Sequence, residues 1–213
     1  YAPSFGVENV PRNNRKRIQK AISQFRYLSV REKRGAEIVY DLTGQHAEVT
    51  VDPTMLVTME HWRALSISGE KEKKYLFCYF LSADPRYLKT AEEIATEKNL
   101  RILMLPMVAA DFNRDGTIKK PVGPCEWLGL IENAEYVLTD SFHCTLFSIR
   151  YHKQFNVLQR FKDGDKRGQN SRIHSLLQAV EMGDRLIVPG KKANTDTISS
   201  SRFQISDNQM EKL

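Results

Sequence analysis

The amino-acid sequence predicts an α/β protein of parallel sheets with helices on both faces, organised in two blocks. Three observations carry this prediction. Short apolar runs without alternation, above all residues 75–81 and 100–105, have the character of strands buried on both sides of a parallel sheet. Segments with apolar residues at helical spacing lie between such runs, so strand and helix alternate along the chain. The series is interrupted once, by Asp52-Pro53 and a polar, charged stretch over residues 66–74.

The elements follow in order. Residues 14–24 carry Ile18, Ala21 and Ile22 amid Arg and Lys, a helical spacing with a wet basic face, and residues 25–30 then turn strand-like, which puts Arg31 at a strand's carboxyl end. A helix over 32–42 stops at Gly44, and 47–51 alternates before Asp52-Pro53. After the connector, 75–81 is a strand, and Asp84-Pro85 opens a helix reaching Lys98. Strands at 100–105, 136–138 and 155–158 then alternate with helices at 124–132, 143–152 and 171–180. The expected organisation is a first α/β unit over 1–60, a linker over 61–74, a second α/β unit over 75–200, and a tail or helix over 201–213.

Composition narrows the function classes. With 41% apolar and 27% charged residues among 213, the chain is globular and neither disordered nor fibrous. Its mean hydropathy of −0.47, without an apolar run of the roughly 18 residues a bilayer span needs, argues against an integral membrane protein. Three scattered cysteines suit reduced thiols in a cytoplasm better than a disulfide scaffold. A net charge of +6 attracts anions in general. Nucleic acid is an unfavoured partner, because the basic clusters carry no interleaved aromatic residues and no known nucleic-acid module is present. No metal constellation is evident: Asp111-Phe-Asn113-Arg-Asp115-Gly116 begins like a calcium loop but has Val122 where the bidentate Glu belongs.

In open α/β sheets ligands bind beyond the carboxyl ends of the strands, which directs attention to Arg31 and to the Thr139-Asp140-Ser141-Phe142-His143 turn. This turn leads from an apolar strand into a helix whose free N–H groups favour anions. Plainer roles stay open: Thr139, Asp140 and Ser141 are all good helix caps, and Arg31 could form a surface ion pair with Glu32 or Glu37. A hydrolase triad of Ser141, His143 and Asp140 lacks the nucleophile elbow. Cys144, pointing about 100° away from His143 on a helix, reads as packing.

Several segments, in order, resemble the polysaccharide pyruvyl transferase family: Tyr1-Ala-Pro-Ser-Phe-Gly6, Ser29-Val-Arg-Glu32, Asp52-Pro-Thr54, Gly123-Pro-Cys-Glu-Trp127, Ile131 through His143, Phe147-Ser-Ile149 and Asn170-Ser-Arg172. The resemblance implies two Rossmann-like domains of GT-B type, with the N-terminal domain incomplete in this chain. It implies a cytoplasmic transferase that moves a pyruvyl group from phosphoenolpyruvate onto a sugar as a ketal, without a cofactor or metal. The acceptor would be a sugar or lipid-linked oligosaccharide, handled by a protein peripheral to the inner membrane surface. By the same resemblance His143 and Asp140 are the catalytic pair, with His143 as proton donor, proton acceptor or cationic clamp. Arg31, Ser141, His143 and Arg172 would bind the donor, guanidinium groups suiting carboxylate and phosphate. The chain has Cys144 where the family usually has Gly, and Ser141 where some branches have Arg. Two alternatives accompany these departures: a GT-B glycosyltransferase using a nucleotide-sugar donor, and a non-catalytic carbohydrate-binding relative.

Overall fold

The computed structural model describes residues 1–68, 74–162, 165 and 170–210. In the first block α1 (Arg12–Ile22) packs on α2 (Lys33–Thr43), which lies against a two-stranded parallel sheet of β1 (Ser29–Val30) and β2 (Glu48–Val49). Val10, Ile38 and Leu42 form a small core with Phe5, Ile18 and Ile22. Gly44 ends α2 at φ +71°, a left-handed conformation that costs glycine little. Both strands are shorter than their sequence pattern. Phe25 and Tyr27, expected within the first strand, lie outside it and are 61% and 80% exposed.

Asp52 caps a 3₁₀ turn at Pro53–Met55, and α3 (Met59–Leu65) follows, capped by Thr58. Within the segment 61–74 expected as a linker, residues 61–65 are helical. Trp62 explains why: its indole N–H donates to Thr54 O at 3.0 Å and its ring meets Phe147 edge-on at 5.1 Å. Residues 69–73 of that expectation lie outside the described residues.

The second block contains β3 (Tyr75–Tyr79), α4 (Arg86–Lys98), β4 (Arg101–Leu105), α5 (Pro124–Glu132), β5 (Tyr136–Thr139), α6 (Phe142–Arg150), β6 (Gln154–Leu158), α7 (Asn170–Ala179), β7 (Leu186–Ile187) and α8 (Ser200–Met210). The five strands form one parallel sheet in the order β4-β3-β5-β6-β7, with Leu76 opposite both Ile102 and Tyr136. Strand alternation divides the side chains between two cores. Tyr75, Phe77, Val137 and Phe155 pack with residues of α5 to α8, while Leu76, Cys78, Tyr136 and Leu138 pack with Tyr87, Ala91 and Ile94 of α4. Helices thus cover both faces. The chain leaves β3 in one direction to make β4, then returns to the other side for β5, so strand order reverses between β3 and β5.

A strap over residues 66–68 crosses α5, with Ile67 N donating to Cys125 O at 3.0 Å. Gly129 permits the crossing, since a Cβ there would lie 2.0 Å from Ile67 O.

Candidate active site

The reversal between β3 and β5 is where an open α/β sheet leaves a crevice at its carboxyl edge. Two bonds tie the strand ends together there: Thr139 Oγ1 donates to Tyr79 O at 2.6 Å, and Leu81 N donates to Asp140 Oδ1 at 2.7 Å. Ser141 caps α6, its hydroxyl oxygen accepting from Cys144 N at 3.4 Å. This cap places Phe142 and His143 in the first turn. His143 keeps 47% of its side chain exposed, whereas the Asp140 side chain is fully buried. Burial pushes the Asp140 carboxyl above its ordinary range, against the Leu81 N–H and the nearby Arg160 cation. Asp140, expected beside His143 as a catalytic residue, accepts from Leu81 N through Oδ1 and lies at the buried end of the pocket that His143 borders. Cys144 is buried, and burial pushes its thiol up to about 12, as suits a packing residue.

Arg31, at the end of β1, pairs with Asp52 and with neither Glu32 nor Glu37. Glu32 is engaged elsewhere, accepting from Ser4 Oγ and Phe5 N at 3.0 Å each, and Glu37 pairs with Arg34. Asp52 also accepts from Thr54 N at 3.0 Å and Thr54 Oγ1 at 2.7 Å, and its Oδ2 lies 3.7 Å from His143 Nε2. Burial alone would raise this carboxyl, with 3% of its side chain exposed. Interactions with His143, Thr54 and Arg31 instead hold it well below the usual carboxylate range. One carboxylate thus joins Arg31 of the first block to His143 of the second.

Two further guanidiniums complete the surroundings. Arg172 lies in the first turn of α7, and Arg31 and Arg172 each stand over the Phe142 ring, 5.6 and 5.7 Å from its centroid. Arg160 follows β6, with Nε 4.0 Å from Asp140 Oδ2. Burial and the neighbouring Arg31 and Arg160 cations pull Arg172 below its ordinary pKa, against Glu32 and Asp52. Such a cluster gains stability when an anion enters it. Asp140, Ser141, His143, Arg160, Asn170 and Arg172 line a cavity of about 100 Å³. Ser141 and His143 also border a separate groove of about 760 Å³, walled by Tyr79, Met107, Lys119 and Trp127. A small, arginine-lined pocket and a wide aromatic groove meet at the imidazole.

Of the expected site residues, Arg31 and Arg172 stand over the Phe142 ring, and Ser141, His143 and Arg172 line one pocket. Asp52 and Arg160 were not among the expected site residues. Both had a signal: Asp52 opens the Asp-Pro-Thr segment, and Arg160 lies just past a buried apolar strand. Among the described residues no group of three or more His, Cys, Asp or Glu could hold a metal ion, and no helix is long and apolar enough to cross a membrane.

Comparison with known proteins adds three findings. The sequence profile of the family described as polysaccharide pyruvyl transferase matches residues 1–160. A crystal structure of a protein described as a UDP-N-acetylglucosamine 2-epimerase, from Listeria monocytogenes, superposes with a TM-score of 0.52 at 11% identity, covering 91% of this chain and 56% of that one. The UDP-GlcNAc 2-epimerase of Methanocaldococcus jannaschii, solved with UDP-GlcNAc and UDP, gives a TM-score of 0.42 at 13% identity over 87% of this chain and 60% of that one. The chain thus spans little more than half the length of these two structures, and the Listeria likeness concerns the fold alone. No curated protein matches the chain.

Proposed function

This chain belongs to the polysaccharide pyruvyl transferase family, and on that premise we propose that the crevice at β3 and β5 binds phosphoenolpyruvate and transfers its pyruvyl group to a sugar. The observation that carries the reading is that Arg31 and Arg172 converge over Phe142, while Arg160 and Arg172 line a cavity of about 100 Å³ beside His143. A three-carbon acid bearing a carboxylate and a phosphate needs several guanidiniums and little room. Nucleotide-sized ligands ordinarily occupy several hundred Å³, more than the arginine-lined pocket holds, so in this reading the donor that fills that pocket is small and the adjoining groove of about 760 Å³ is left to the acceptor.

Ketal formation consumes two sugar hydroxyls. One adds to C2 of the donor as the methylene carbon gains a proton. The C–O bond to phosphate then breaks, and the second hydroxyl closes on the oxocarbenium carbon. Of the two hydroxyl protons, one balances the new methyl group and the other leaves with phosphate. His143, bordering both the small pocket and the groove, is the group placed to move a proton between acceptor hydroxyl and donor. Asp52 orients it, Ser141 and the start of α6 contribute donors to the phosphate or carboxylate, and Asp140 holds the turn in place. The groove past Tyr79 and Trp127 offers aromatic faces to the acceptor, a sugar or lipid-linked oligosaccharide. In this reading the first block and the five-stranded block are parts of two domains of GT-B type. The enzyme works in the cytoplasm, with phosphoenolpyruvate as substrate and no cofactor.

Calorimetric titration tests the donor. Phosphoenolpyruvate should bind the wild type and lose affinity in Arg172→Ala, while UDP-sugars should give no heat. Binding of a UDP-sugar in preference to phosphoenolpyruvate would overturn the reading in favour of a glycosyltransferase.

A further inference from the structure

The net charge of the protein is confined to one short segment. Residues 12–26 contain Arg12, Arg15, Lys16, Arg17, Lys20 and Arg26 and no acidic residue, and removing these six from 32 Lys and Arg leaves 26, matched by 26 Asp and Glu. All six side chains are exposed, and among the described residues none of them forms an ion pair within 4.0 Å. The apolar stripe of α1 is already used, Ile18 and Ile22 packing on the small core of the first block. The cations therefore coat the outer side of the helix. Just beyond its end Phe25 and Tyr27 project at 61% and 80% exposure, with the Arg26 guanidinium 5.3 Å from the Tyr27 ring.

We propose that α1 and the following turn form a docking surface for an anionic lipid bilayer. Charge complementarity selects the occupant: four to eight cations on one helix are what an anionic lipid surface attracts, each adding roughly 1 kcal/mol near the membrane. Phe25 and Tyr27 add what a purely electrostatic patch lacks, two rings placed to enter the headgroup region as interfacial anchors. The rings project from a turn at a helix end. Nucleic-acid stacking platforms instead line sheets or grooves, which favours the bilayer. The inference is independent of the donor reading, since the surface and the His143 crevice share no residue.

Flotation of the full chain with vesicles tests it. The protein should float with equal parts phosphatidylcholine and phosphatidylglycerol, stay behind with phosphatidylcholine alone, and be released by salt. Arg15→Gln, Lys16→Gln and Arg17→Gln together should weaken binding roughly 100-fold, about a factor of five per cation. Phe25→Ser with Tyr27→Ser should also weaken it at unchanged charge. These positions are exposed, so both variants should keep the wild-type far-UV circular dichroism and phosphoenolpyruvate affinity. Equal flotation with neutral vesicles, indifference to either set of substitutions, or tighter binding to an RNA oligonucleotide than to the anionic vesicles would overturn the proposal.

Discussion

His143 Nε2 stands 3.7 Å from Oδ2 of Asp52, so a buried carboxylate of the first block faces an exposed imidazole of the second. This carboxylate also holds Arg31, which makes Asp52 the meeting point of the proposed donor-binding and proton-moving groups. Its folded pKa lies below the unfolded value of about 3.9. A depressed carboxyl contributes stability that is present above the unfolded pKa and is lost as pH falls towards the folded one. Asp52→Asn should therefore lower stability by about 1–3 kcal/mol at neutral pH and flatten the loss of stability below about pH 4. Urea unfolding across pH reads both. An unchanged acid limb in the variant would show that Asp52 carries no such linkage.

His143→Gln and Arg31→Lys should separate chemistry from binding. If the imidazole moves a proton, its replacement lowers turnover by roughly 10²- to 10⁴-fold. Losing the planar fork of Arg31 while keeping its charge should chiefly raise KM for the donor. Steady-state phosphate release with acceptor present measures both, and unchanged turnover in His143→Gln would remove His143 from the chemistry.

Asp140→Asn distinguishes a bracing from a catalytic carboxyl. The folded pKa of Asp140 is raised, so its ionised form opposes folding and this penalty grows as pH rises above the unfolded pKa. An Asn side chain keeps an acceptor for Leu81 N and removes the charge. We expect stability equal to or above wild type at neutral pH with donor affinity retained, whereas Asp140→Ala leaves Leu81 N unpaired and costs about 1–3 kcal/mol. Thermal unfolding and donor titration of the two variants provide the check.

Gly129→Ala sets two effects against each other. Within a helix Ala is better than Gly by about 1 kcal/mol, yet here the new Cβ meets Ile67 O at 2.0 Å. The backbone strap cannot yield as a flexible side chain would, so the clash wins. The variant should lose about 1–3 kcal/mol, seen as a lower thermal midpoint, and a raised midpoint would mean that the strap lifts off α5 without cost.

Much of the second block was legible because its strands are continuous apolar runs, a pattern that parallel burial demands and few other environments tolerate. α3 and β7 were not. α3 buries little beyond Met59 and Trp62 beneath a polar surface, and β7 is two residues long. At the candidate site, the expectation for Arg31, His143 and Arg172 rests on strand ends, helix starts and motif resemblance. Asp52 was read as a boundary because the residue before proline breaks a helix. Its partners Arg31 and His143 come from distant segments, and no local pattern encodes such a meeting. Arg160 is one basic residue among many until β6 places it opposite Asp140.

A chain whose excess formal charge sits in residues 12–26, with the remaining charges summing to zero, presents a locally positive face at α1. In the field of a charged plane such a body experiences a torque before it touches anything, within roughly one Debye length of about 8 Å. It would arrive with α1 leading, so the orientation of the molecule on a charged surface is decided during diffusion and its angular search is shortened. The same asymmetry predicts adsorption to a cation-exchange resin by a single face, even though outside that segment the formal charges cancel.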